Sequence, residues 1–130
     1  MYDVIVVGGG PAGSYAAYRL AENGHRVAVL ERKQQVGEAV CCTGIIGQEC
    51  VNTFAIEDRV ILRRANGARL FSPSGTQLSV WREETQACIL DRAAFDVAMA
   101  ERAQDAGAEY RLNSHAKNII TESDGVSIAV

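Results

Sequence analysis

No stretch of the 130-residue chain is apolar for long enough to span a bilayer. There is no basic excess either. Lys and Arg total 13 against 16 Asp and Glu, and the net charge of -3 lacks the electrostatic footprint that nucleic acid requires. A secretory signal is missing, because Asp3 stands where a basic region belongs and glycines break the first apolar run. Cys41, Cys42, Cys50 and Cys88 lack the paired C-x-x-C spacing of a structural zinc site, so no metal is expected. Without a secretory signal, these cysteines predict free thiols in a reducing, cytoplasmic compartment. No repeat, low-complexity block or linker divides the chain. Ser14 has no G-x-S-x-G around it, and neither His25 nor His115 has a catalytic partner nearby in sequence. No catalytic residue is assigned.

What remains is an ordinary globular composition, 48% hydrophobic and 22% charged, sized for one domain over residues 1–130. "YDVIVVG" reads as a parallel strand buried on both faces. Pro11 to Asn23 reads as a helix with Ala16, Ala17 and Leu20 inward and Gly24 as its stop. "RVAVLE" is a second buried strand, which completes a βαβ unit. A short helix is predicted near Ile46 to Phe54, a hairpin in "ARLFS" and "TQLSV" around "PSG", and a strand in "ACIL". Phe95, Ala98, Met99, Ala103 and Ala106 fall at helical spacing after Asp91, and Gly107 ends that helix. "AEYRL" follows as a third parallel strand, then two strands around Ser-Asp-Gly. The pattern stops midway at Val130, which predicts a truncated fragment of a longer protein. The fold class is α/β: a Rossmann-type parallel sheet with crossover helices and a small antiparallel element.

Gly8, Gly10 and Gly13 form a G-x-G-x-x-G that leaves a strand and opens a helix. Such glycines give a tight turn, close backbone approach to a pyrophosphate, and close packing of helix on strand. The helix N-terminus offers free N–H groups and a positive dipole end to the anion, and Pro11 suits the first helical position. Glu31 closes the second strand, 23 residues after Gly8, where a carboxylate can accept both ribose hydroxyls of an adenosine. Its charge opposes a 2′-phosphate. The pattern therefore predicts FAD or NAD rather than NADP.

The stretch from Tyr2 to Glu38 resembles the N-terminus of FAD-dependent oxidoreductases of the glutathione-reductase and hydroxylase type. With "CCTGIIGQE" and "ILDRAAFDVAMAERAQDAGAEYRLNSHA", the chain is similar to the geranylgeranyl reductase family across its length. That resemblance implies FAD as cofactor, with Gly8, Gly10, Pro11, Ala12 and Gly13 at its pyrophosphate and Glu31 at its adenosine ribose. It further implies that Cys42 and Gly44 lie in a loop near the flavin, that Arg92 contacts the flavin, and that Ala116 is a strand residue whose backbone meets the adenine edge. The implied activity is reduction of isoprenoid double bonds by hydride transfer from reduced flavin, carried out by the full-length enzyme and not by this fragment alone. NAD(P)H or ferredoxin would be the electron donor, and an isoprenoid or prenyl lipid the substrate. A cytoplasmic site with peripheral membrane contact follows. Two alternatives share the glycine loop: an FAD-dependent hydroxylase or halogenase, and a non-catalytic dinucleotide-binding module.

Overall fold

A computed structural model describes residues 1–130. Two compact units emerge, one made of Met1–Val40 with Ala93–Val130 and the other of Cys41–Arg92.

The first unit is built on a parallel sheet of β1 (Val4–Val7), β2 (Val27–Leu30) and β8 (Glu109–Arg111), in the order β1-β2-β8. β2 is the central strand and all four of its residues are buried, as its unbroken apolar run requires. β1 departs from the sequence-based expectation. Its first three residues are half-buried and Val7 is exposed, because β1 is an edge strand with one neighbour. Helix α1 (Pro11–Glu22) covers the sheet with Ser14, Ala17 and Ala21 rather than with Ala16, which is exposed. Helix α3 (Arg92–Asp105) runs into β8 and buries Ala98, Met99, Ala100 and Ala103. Ala17, Ala21, Val27, Val29, Ala103 and Ala108 form one core, where small alanines let helix backbones approach the sheet closely. The Arg102 guanidinium lies 4.1 Å from the centre of the Tyr18 ring and ties α3 to α1. β9 (Asn118–Thr121) and β10 (Val126–Ala129) form a separate antiparallel hairpin.

The second unit is antiparallel. β3 (Ile45–Gly47), β4 (Ile61–Ala65) and β7 (Ala87–Leu90) make a sheet in the order β3-β7-β4, preceded in β4 by a single 3₁₀ turn at Asp58–Val60. With the short helix α2 (Gln48–Thr53), these elements bury Val51, Val60, Cys88 and Leu90. β5 (Gly67–Phe71) and β6 (Gln77–Trp81) form the expected hairpin, yet every residue of both strands is exposed.

Candidate functional site

Parallel register sets the site. Val7 pairs with Leu30 and Leu30 with Arg111, so three chain segments leave the sheet side by side. The pairing continues past the strands, with Gly8 N–H donating to Leu30 O at 2.8 Å and Glu31 N–H to Arg111 O at 2.9 Å. Beyond these ends lies a cleft of about 240 Å³ lined by Gly8, Glu31, Arg32, Ser114, His115 and Ala116. Ligands of open α/β sheets bind at this end of the strands.

The glycine loop has the geometry its spacing implies. Gly8 adopts a left-handed φ of +102°, which turns the chain out of β1. A Cβ on Gly13 would lie 2.0 Å from Gly8 O, so only glycine lets α1 pack this close to the loop. Gly10 is the opposite case. A Cβ there would meet no protein atom within 4 Å, which leaves its face open to a ligand. Gly10 is also the N-cap of α1, Pro11 takes the first helical position, and Ala12 is exposed beside it.

Glu31 has a second task that its position in the sequence did not reveal. Its Oε2 accepts from Gly9 N–H at 2.7 Å and its Oε1 from Lys33 N–H at 2.9 Å. A carboxylate has about four acceptor positions, so each oxygen keeps capacity for a ribose hydroxyl. Ala116 lines the cleft but is not the strand residue that the resemblance implied. It precedes β9 in a segment where no backbone hydrogen bond of the chain uses its amide groups, which leaves an N–H and a C=O for a planar base. His115 beside it is exposed.

Two residues of this region escaped the sequence reading. Ser14 is fully buried, and its hydroxyl donates to Gly9 O at 3.1 Å. Tyr110 of β8 donates its hydroxyl to Ser14 Oγ at 2.7 Å. Burial pushes the Tyr110 phenol up, and its bond to Ser14 opposes that shift. The signal for Ser14 was a polar residue at i, i+3, i+7 with Ala17 and Ala21, since a hydroxyl on a buried face requires partners.

Cys42, Gly44 and Arg92 come together in the second unit. Gly44 has a φ of +71°, and a Cβ there would stand 2.5 Å from Leu90 O and 3.2 Å from Arg92 Cγ. Gly44 N–H reaches Cys42 Sγ at 3.5 Å, and Leu90 N–H donates to Gly44 O at 2.9 Å. All four cysteines are free thiols. Cys88 is buried as a small apolar residue would be, whereas Cys41 and Cys42 are exposed. No group of three or more His, Cys, Asp or Glu side chains is arranged to hold a metal ion.

The glycine loop and Glu31 thus fit the pyrophosphate and ribose of an adenine dinucleotide. Residues 3–48 match the family model described as an FAD binding domain. The digeranylgeranylglycerophospholipid reductase of Methanosarcina mazei is 40% identical over 129 residues, which are 96% of this chain and 32% of that protein. A geranylgeranyl bacteriochlorophyll reductase-like protein from Thermoplasma acidophilum superposes with a TM-score of 0.87 at 32% identity, covering 94% of this chain and 32% of that one. The myxobacterial chondrochloren halogenase has a TM-score of 0.81 at 22% identity, over 98% of this chain and 32% of its own, and shares the fold. The resemblance to the geranylgeranyl reductase family of FAD-dependent oxidoreductases therefore holds over nearly the whole chain, which spans about a third of the length of the curated relatives it matches.

Proposed function

We propose that this chain is the FAD-binding part of an oxidoreductase that reduces carbon–carbon double bonds of isoprenoid groups. The carrying observation is the cleft that joins Gly8, Glu31 and Ala116, in a chain 40% identical to a digeranylgeranylglycerophospholipid reductase. When bound, reduced FAD supplies the hydride for such a reduction. The chain's own residues bind and orient the cofactor. Gly8, Gly10, Pro11, Ala12 and Gly13 cradle the pyrophosphate, Glu31 accepts from the ribose, and the Ala116 backbone meets the adenine. Cys42, Gly44 and Arg92 serve the flavin end. The likeness to halogenases rests on fold at 22% identity and favours no halogenation chemistry.

The same proposal extends to a cytoplasmic enzyme fed by NAD(P)H or ferredoxin, which touches the membrane surface to reach a prenyl-lipid substrate. Support comes from the lipid named in the relatives; no helix here is long and apolar enough to cross a membrane. Calorimetry of this chain with ADP, FAD and FMN tests the binding half of the reading. ADP and FAD should bind with similar affinity and FMN scarcely at all, because the cleft residues serve the adenosine side. FMN binding without ADP binding would reverse the assignment. Anaerobic reduction of a geranylgeranyl lipid by a longer protein containing this chain tests the chemistry, and oxygen-dependent turnover without that reduction would refute it.

A further inference from the structure

The three consecutive glycines Gly8 to Gly10 let a ligand approach the backbone, but they also leave its peptide planes free to rotate. Two hydrogen bonds oppose this. Glu31 holds the Gly8–Gly9 peptide through Gly9 N–H, and Ser14 holds the Gly9–Gly10 peptide through Gly9 O. A trans peptide is planar, so its oxygen and the following N–H point in opposite directions. Fixing Gly9 O against the buried Ser14 hydroxyl therefore aims Gly10 N–H away from α1. Gly10 N–H donates to no backbone group of the chain and opens the helix, where an anion is favoured.

The Ser14 hydroxyl carries one proton and can rotate. Tyr110 donates into its oxygen at 2.7 Å, which leaves the Ser14 proton for Gly9 O. We infer that Tyr110 is a positioning residue for the phosphate-binding loop: through Ser14 it fixes the Gly9–Gly10 peptide and so directs Gly10 N–H at the pyrophosphate. A residue 96 positions along the chain from Ser14 thereby sets the geometry of the first loop. The inference rests on the dinucleotide reading above, and its test separates the two.

The test is titration of wild type, Tyr110→Phe, Ser14→Ala and the double variant with ADP and with adenosine, alongside thermal unfolding of each. Tyr110→Phe should weaken ADP about three- to tenfold, the range of one net hydrogen bond, and adenosine by less than about twofold. The double variant should bind ADP no more weakly than Ser14→Ala alone, since both changes break one relay. Wild-type ADP affinity in Tyr110→Phe would overturn the inference. So would additive losses, or equal losses of ADP and adenosine that track a lowered melting temperature. If wild type itself bound no ADP, the site reading would fall and take the inference with it.

Discussion

Glu31 and Gly44 each sit just outside a sheet, but their positions are set in different ways. Glu31 continues β2, a strand buried along its whole length between two parallel neighbours. Gly44 precedes β3, an edge strand of three residues, and is held by Leu90 at the end of antiparallel β7. The first unit thus fixes its loops by depth of burial, the second by a few close backbone contacts. The open, side-chain-free stretch that a phosphate site needs gains from the first kind: buried β2 anchors Glu31, and its carboxylate holds the glycine loop through Gly9 N–H.

The largest expected effects break the first unit itself. Gly13→Val should unfold it, because a Cβ 2.0 Å from Gly8 O forces α1 off the loop. The cost lies at or above the upper end of the roughly 1–3 kcal/mol typical of overpacking, and a lost thermal transition would show it. Gly10→Val should leave the chain folded and lose detectable ADP binding, since a Cβ there meets no protein atom within 4 Å. Calorimetry that found unchanged ADP affinity would remove the phosphate from Gly10.

Glu31→Ala should weaken ADP by roughly 1.5–3 kcal/mol, the range for hydrogen bonds to a charged group. Part of that loss would come from freeing Gly9 N–H. Gly44→Ala sharpens the comparison from the other side. Its left-handed φ and its contact with Leu90 O should lower stability by about 1–3 kcal/mol, with ADP affinity unchanged. A parallel loss of ADP affinity would mean that the second unit supports the adenosine side.

The smallest effect concerns the opposite end of the parallel sheet. Arg26 donates from its guanidinium, and secondarily from its backbone N–H, to Asp3 and holds that carboxyl at about 2, below its ordinary 3.8. A lowered folded-state value means that Asp3 contributes its full stability above about pH 3.8 and loses it as the pH falls towards about 2. Asp3→Asn should flatten the acid limb of a stability–pH profile in that window. An unaltered limb would show that the exposed pair contributes nothing measurable.

The parts of the molecule that were legible in sequence are those whose physics is local. The glycine loop, α1 and Glu31 depend on spacing within one βαβ unit, and the loop glycines adopt the conformations that spacing demands. Ala116 was assigned through the resemblance and does line the cleft, although outside a strand. The misread features are long-range. The half-exposed face of β1 follows from its place at the edge, which its apolar sequence cannot express. Ala16 and Ala17 are chemically identical, and the sheet beneath decides which is buried. Tyr110 looks like any strand aromatic until its hydroxyl is seen on Ser14.

The shared register of β1, β2 and β8 makes the sheet a ruler. Each strand residue advances the chain by about 3.3 Å and turns the next side chain to the opposite face. One residue added between Val27 and Leu30 would carry the carboxylate a full step from Gly9 and turn it to the wrong side. The identity of these four apolar residues can drift among Val, Ala, Ile and Leu without moving Glu31. Their number cannot, so natural variation in this segment should run through substitutions and leave its length unaltered.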